Sequence, residues 1–273
     1  MDHYPPSTLP LENCPSGSDS MHRLVRHLDL FSGIGGFALA AQMVGGIETV
    51  GFCEIDPWPR EILKKNFPNV PIHDDVKTLD PKHYGRIDLI TGGYPCQPFS
   101  LAGQRKGAED DRHLWPEVLR ILKSAQPTWL LCENVYGHIS MGIDQVLSDL
   151  EAADYAGWAF VIPACAVGAG HRRDRVWVVA NRKGINGGSE CNHEGGIKHL
   201  ESAWEPRRGD LGERGEANHW SCEPGMGRVA HGIPPQVDRI KALGNAIVPQ
   251  VAAEILRHMM RVHCLANDKI HPR

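Results

Sequence analysis

The sequence predicts an α/β protein built on a doubly wound, mostly parallel sheet, with a small irregular lobe inserted late in the chain. Two observations carry this. Apolar runs of strand length alternate with segments of helical spacing from Leu24 to Ala180, the signature of repeated strand–helix–strand units. Two of those runs lead into glycines, at Gly33, Gly35 and Gly36 and at Gly92 and Gly93, where the backbone can turn sharply. Ligands of such sheets sit beyond the carboxyl ends of the strands, so these turns are where function is sought. At 273 residues the chain can bury about three quarters of its unfolded surface. It needs neither disulfides nor a structural metal to fold.

Residues 1–23 carry Pro, Ser and Asp without apolar periodicity and are expected to form a flexible leader. Leu24–Phe31 reads as a buried strand, followed by a glycine turn and a short helix from Phe37. Ile47–Asp56 reads as strand two. A helix follows at 57–68, with Pro in its first turn, where the missing N–H does no harm. Residues 70–76 read as a short third strand and Arg86–Gly93 as a fourth. A long polar loop spans 94–113, and 113–125 reads as a helix. Pro127–Val135 is a fifth strand. A helix near 141–152 precedes two more strands at 159–167 and 175–180. Composition then shifts: 181–227 is rich in Gly, Asn, Glu, Arg and His and has little periodicity. In 228–273, Val251, Ile255, Leu256, Met259 and Val262 recur at helical spacing. The organisation is thus a leader (1–23), a sheet domain (24–180), a polar insert (181–227) and a segment returning to the sheet domain (228–273).

Hydrophobic residues at 41% and charged residues at 23% exclude a disordered chain, a collagen and a disulfide-rich miniprotein. The balance of 29 Lys+Arg against 33 Asp+Glu gives −4, which taken alone argues weakly against a polyanion-binding protein. There is no apolar signal core and no window near the ~18 apolar residues a membrane span requires. No membrane partner is expected, and the expected location is the reducing cytoplasm. The eight Cys are then free thiols, metal ligands or catalysts. No C-x-x-C pair occurs. Cys191, His193, His199, His219 and Cys222 match no standard zinc spacing, so no metal is expected.

Three strand ends carry chemistry. After the first strand, "SGIGG" lets the backbone approach a ligand closely, and Glu54 at the end of strand two can accept from ribose hydroxyls. A glycine turn beside a surface Glu would look similar. The loop "GGYPCQPFS" (Gly92–Ser100) places Cys96 between Pro95 and Gln97 on a stiff turn, a setting for a nucleophile where neighbouring charges favour the thiolate. A lone Cys is otherwise a small buried hydrophobe. "CENV" carries Glu133, either a satisfied carboxylate or a carboxyl kept protonated in a partly closed cleft. In "HRRDRVWVV", alternation puts Arg173 and Arg175 on one side of a strand. They either pair with carboxylates or hold a phosphate or a base carbonyl.

In this order and spacing the motifs resemble those of the cytosine-C5 DNA methyltransferases, from about Leu28 to Ala253. "DLFSGIGG", "CEID" and Asp75-Val76 resemble the first three family motifs. "GGYPCQPFS" resembles the catalytic loop, "ENV" the next motif, "HRRDR" the Q-x-R-x-R motif and "LGNAIVPQVA" the last. His171 stands where the family usually has Gln, and Ala246 where some members have Ser.

The resemblance implies a Rossmann-like methyltransferase fold. It implies methyl transfer from S-adenosyl-L-methionine to C5 of a cytosine flipped out of double-stranded DNA, through a covalent bond from Cys96 to C6. Glu133 would bond N3 and N4 of the base, Arg175 would hold its O2 side, and Arg173 would support the loop or a phosphate. The implied cofactor residues are Phe31, Ser32, Gly33, Gly35 and Gly36, then Glu54 for the ribose and Ile55 over the adenine. Asp75 would accept from the adenine amino group, with Val76 beside it, and Pro95, Asn245 and Ala246 complete the set. The loop 101–113 is expected to close over DNA. The insert is expected to read a short target, with Arg182, Lys183, Arg207, Arg208 and Arg214 meeting phosphates or guanines. The chain is expected to be a monomer. The candidate protein partner is a cognate restriction endonuclease acting on the same site. Three rival readings stand: a cytosine-C5 methyltransferase acting on RNA, a dinucleotide oxidoreductase from the G-x-G-x-x-A match, and a catalytically silent DNA-binding module.

Overall fold

The computed structural model describes residues 23–95, 114–184 and 244–270. Seven strands form one sheet in the order β3-β2-β1-β4-β5-β7-β6. They are β1 (Val25–Leu30), β2 (Ile47–Cys53), β3 (Ile72–His73), β4 (Leu89–Gly92), β5 (Trp129–Val135), β6 (Tyr155–Ile162) and β7 (Arg175–Arg182). β3, β2, β1, β4 and β5 pair in parallel, and β7 runs antiparallel to both β5 and β6. The mostly parallel, doubly wound sheet expected from the sequence is present.

Helices cover both faces. On one, α3 (Trp115–Ala125) and α5 (Ile143–Ala152) pack Val118, Ile121, Leu122, Val146 and Leu150 against Leu28, Leu30, Ile90, Leu130 and Val178. On the other, α1 (Gly36–Val44) and the last described helix, α6 (Pro249–Ile270), pack Phe37, Ala40, Val251, Ala252 and Leu256 against Val25, Leu89, Leu131 and Trp177. The alternation of strand side chains divides these two cores. α2 (Pro57–Asn66) starts where the Asp56 carboxylate accepts from the Trp58 N–H, and its buried Leu63 sits with Phe52 in a third, smaller cluster. No described helix is long and apolar enough to cross a membrane.

Three boundaries differ from the sequence reading. The segment 159–167 is not one strand: β6 begins earlier, at Tyr155, and Pro163 turns the chain into a short 3-10 helix at Ala164–Val167. A proline lacks the N–H a continuing ladder needs. The helix near 141–152 is two helices, α4 (His138–Met141) and α5, broken at Gly142. β7 runs on through Arg182, so its last residues extend into the stretch read as the insert.

One polar chain crosses the interior. His27 Nδ1 lies 2.9 Å from Thr49 Oγ1 on β2, and its Nε2 lies 2.7 Å from Thr91 Oγ1 on β4. Thr91 donates to Asp29 Oδ1 at 2.6 Å, while Asp29 Oδ2 has no hydrogen-bond partner among the described residues. With Asp29 ionised, Thr91 spends its proton there, so His27 donates from Nε2 and accepts from Thr49. Burial pushes His27 down to about 3 and Asp29 up to about 7.

Asp29→Asn keeps an acceptor for Thr91 and removes the ionisable group. A carboxyl raised from 3.8 to about 7 contributes stability that is present below pH 3.8 and lost as the pH rises through 7. The stability of the variant relative to wild type should therefore climb between about pH 4 and pH 7, by up to a few kcal/mol, and level off above. Denaturant titrations across that range test this. A difference that stays flat would mean Asp29 does not titrate there.

Candidate active site

The five parallel strands deliver the predicted residues to one edge of the sheet. β1 leads into Phe31 (φ 53), Ser32, Gly33 (φ 53) and Gly35 (φ 89) before α1 begins. Ser32 ties this turn to β2. Its N–H donates to the Cys53 carbonyl at 3.0 Å, its hydroxyl donates to the Asp29 carbonyl at 2.8 Å, and it accepts from the Cys53 N–H at 3.2 Å. Ser32 is buried in these contacts, so its role here is to join two strand ends.

Glu54 stands in the crease between β1 and β2. Its Oε2 accepts from the Gly33 N–H at 2.7 Å and its Oε1 from the Asp56 N–H at 2.8 Å. Two backbone donors aim the carboxylate, and each oxygen keeps a second lone pair. Ile55 beside it is 70% exposed, a large apolar side chain open to a ligand. A Cβ on Gly33 would meet nothing within 4 Å among the described residues, so they leave this stretch of backbone open. Asp75 sits in a turn where Oδ1 accepts from the Lys77 N–H at 2.9 Å. Val76 lies buried in the core, its carbonyl held by Arg120 Nη2 at 2.8 Å.

The two other glycines serve packing. A Cβ on Gly36 would come within 2.6 Å of Ile247 Cγ1, and one on Gly35 within 2.8 Å of Phe67 Cε2. The turn is thus the point where residues 244–248 and α2 close on the start of α1. Asn245 is exposed and Ala246 half-buried.

At the next edge, β4 ends at Gly92 and leads through Gly93 and Tyr94 to Pro95, which is exposed. Cys96 and the loop residues 101–113 lie outside the described residues. The point from which they leave is braced: Tyr94 is buried, its carbonyl accepts from Asn134 Nδ2 at 3.1 Å, and its hydroxyl lies 2.9 Å from His138 Nε2. Its ring lies 5.4 Å from that of Trp115. Sequence reasoning assigned no role to Asn134, Tyr94 or His138. The signals were an Asn directly after the key Glu and a large ring between Gly93 and Pro95.

Glu133 completes the edge. A Cβ on Gly93 would lie 3.7 Å from Glu133 Oε2, so the carboxyl rests against the base of that loop. Arg175 Nε pairs with Glu133 Oε1 at 2.9 Å. Burial raises the Glu133 carboxyl to about 6, against the opposing pull of Arg175 and Arg173. It is therefore poised near neutrality, able to accept or donate.

The two arginines part company. β7 begins only at Arg175, and Arg173 sits before it with φ 41, so strand alternation does not apply to the pair. Arg173 Nη2 donates to the carbonyls of Gly244 and Ala246, each at 2.7 Å. It supports the returning segment, while Arg175 meets Glu133. Arg182 and Lys183 need a larger correction. Because β7 is antiparallel, they lie at the opposite edge of the sheet, where Arg182 donates to the Gln126 carbonyl and Lys183 Nζ is 3.9 Å from Glu151. They do not join the site. Arg207, Arg208, Arg214 and the His/Cys set of the insert lie outside the described residues.

A family model for the C-5 cytosine-specific DNA methylases matches residues 25–213. The type II methyltransferase M.HgiCII of Herpetosiphon aurantiacus is 36% identical over 164 residues, covering 56% of this chain and 36% of that protein. The type II methyltransferase M.HhaI of Haemophilus parahaemolyticus is 32% identical over 167 residues, covering 59% of this chain and 50% of that one. The matched stretch thus spans half or less of these relatives. Among solved structures, DNMT2 of Spodoptera frugiperda superposes with a TM-score of 0.54 at 25% identity, over 62% of this chain and 54% of the other.

The charge balance at Glu133 is open to direct measurement. Arg175→Met removes the principal cation opposing its desolvation, so the Glu133 midpoint should move above about 6. Carbon-13 carboxyl titration by NMR reads this directly. A midpoint unchanged or lowered would show that Arg175 does not hold it down.

Proposed function

The chain belongs to the C-5 cytosine-specific DNA methylase family, and from that premise we propose that it transfers a methyl group from S-adenosyl-L-methionine to C5 of a cytosine in double-stranded DNA. We place the reaction at a short specific sequence. The observation that carries this reading is the buried Glu133–Arg175 pair beside the base of the Cys96 loop. The crease between β1 and β2 fits an adenosyl ligand: it offers the aimed carboxylate of Glu54, the exposed apolar side chain of Ile55 and the open backbone at Gly33. Phe31 and Asp75 would flank the same ligand. S-adenosyl-L-methionine, when bound there, supplies an electrophilic methyl group.

The rest of the chemistry falls to the chain. Cytosine C5 is a weak nucleophile, so the ring must first be activated. The Cys96 thiolate adds to C6, and electron density moves to C5. Glu133 holds the N3 and N4 edge and shares a proton with N3 as negative charge develops there. Excluding water around a bound base raises that carboxyl further, toward the protonated form this task needs. Arg175 orients Glu133 and reaches the O2 side of the ring. C5 takes the methyl as its bond to the sulfonium sulfur breaks, leaving a neutral thioether; a base, for which a water molecule would serve, then takes the C5 proton as Cys96 departs and regains its thiolate. Splitting the reaction in this way replaces one high barrier with lower ones. The target must leave the base stack to reach these groups, at a cost of a few kcal/mol.

Target recognition falls to the insert, and a cognate restriction endonuclease would be the natural counterpart of a sequence-specific activity. The chain is taken to act as a monomer in the cytoplasm.

Cys96→Ser should abolish methyl transfer, by at least about a thousandfold, while S-adenosyl-L-methionine affinity measured by calorimetry stays within about twofold. Near-normal turnover would remove Cys96 as the nucleophile. A duplex carrying 5-fluorocytosine at the target should trap the protein covalently, because fluorine cannot leave as a proton does. The site to build into that duplex comes from methylation-sensitive sequencing of DNA from cells expressing the protein. Methylation confined to RNA in parallel assays would transfer the reading to an RNA substrate.

A further inference from the structure

Just past Glu133, the chain exposes an apolar surface that the chemistry above does not use. β5 ends at Val135, the turn continues through Tyr136 and Gly137, and α4 follows. Val135 is 44% exposed, Tyr136 58% and Ile139 37%. Three large apolar or aromatic side chains within five residues, at the carboxyl edge of the sheet, are costly to leave in water without a use.

The strand register identifies what lies across from them. Val135 pairs with Arg175. The turn at Tyr136 and the segment carrying Arg172 and Asp174 therefore leave the sheet at the same corner. Arg172 is 81% exposed on its side chain and touches Asp174 at 3.1 Å, a surface pair of little energetic weight. An exposed aromatic residue and an exposed arginine thus belong to the two segments that meet the sheet at one corner, the corner that also holds the Glu133–Arg175 pair. Aromatic faces interleaved with arginines are the platform on which unpaired nucleobases stack, the ring taking the base and the cation the phosphate.

We propose that Tyr136 stacks on a nucleobase of the bound DNA next to the extruded cytosine. The inference rests on the DNA methyltransferase reading and adds to it a contact with the substrate outside the reacting ring. Removing a base from a duplex leaves its neighbours with an uncovered face, and a planar side chain at the mouth of the pocket covers one. The phenol hydroxyl is not required, since stacking uses the ring.

The test uses the full chain, a duplex carrying the methylated site, and Tyr136→Ala, Tyr136→Phe and Tyr136→Trp. Tyr136→Ala should weaken DNA binding roughly tenfold or more and raise KM for DNA. Single-turnover methylation at saturating DNA, and cofactor affinity, should change little. Tyr136→Phe should restore the affinity, and Tyr136→Trp should gain indole fluorescence that duplex DNA quenches beyond the wild-type change. If wild type methylates the duplex while Tyr136→Ala binds it normally, or if the added indole is not quenched, the stacking role is overturned. If wild type itself neither binds nor methylates any duplex, the failure belongs to the underlying reading.

Discussion

The site depends on a single directional constraint: β1, β4 and β5 run parallel, and β7 runs against them. Parallel strands deliver all their carboxyl ends to one edge. That is how the Ser32 turn, the Tyr94 brace and Glu133 become neighbours although they lie far apart in sequence. A strand running the same way could bring only its own end to that edge. The reversed strand brings its start instead, and its first residue is Arg175, set across from Val135. The cation that balances Glu133 is thus supplied by topology. The same reversal carries Arg182 to the far edge, where it holds the Gln126 carbonyl.

Burial at that edge affects two carboxyls differently, and the contrast explains why one suits chemistry. Desolvation raises both Asp29 and Glu133. Asp29 has a threonine donor on one oxygen and no cation among the causes that shift it, and it reaches about 7. Glu133 has Arg175 at 2.9 Å and stops at about 6. A glutamate in water would be ionised and could only accept hydrogen bonds. One buried without a cation would stay protonated and resist ionisation. The guanidinium places Glu133 between these limits, where a small change in hydration would shift it toward the protonated form. The adjoining Cys132 thiol, buried beside Glu133, is pushed well above its usual range. It is inert for the same reason that Glu133 is poised.

The sequence made the fold class legible because buried parallel strands and their crossover helices leave strong local patterns. It made Glu133 legible as a type, because a Glu at the end of a buried strand is unusual on its own, while Cys96 lies outside the described residues. What it could not convey was contact. Arg173 and Arg175 look equivalent by alternation, yet a positive φ at Arg173 lies outside the strand and sends its side chain elsewhere. Gly36 reads as freedom for a ligand, while its lack of a Cβ is what lets Ile247 approach. The brace from Asn134 and His138 to Tyr94 links residues some forty positions apart. Only the packing of β4 against β5 brings them together. The net charge says little about the site for a related reason. An average over the chain cannot show that Arg172–Arg175 open onto the site edge while Arg182 and Lys183 face away.

The returning segment shows how a small number of contacts closes the architecture. Residues 244–248 follow a long stretch of chain and must still arrive beside the first turn. Two observations account for the docking. Ile247 enters a space that exists only because residue 36 is a glycine, and Arg173 clamps two carbonyls of the segment with one guanidinium nitrogen. A lysine ammonium could reach those oxygens but lacks the planar, pre-organised donors that hold two acceptors in one geometry. Beyond them, the buried Val251, Ala252 and Leu256 of α6 anchor the helix on the sheet, and the apolar area they bury outweighs the two hydrogen bonds. The helix therefore supplies the stability, and Arg173 and Gly36 set the position of residues 244–248 beside the first turn. A change at either would disturb the position of the segment more than its attachment, because α6 would hold it in place while its aim shifted.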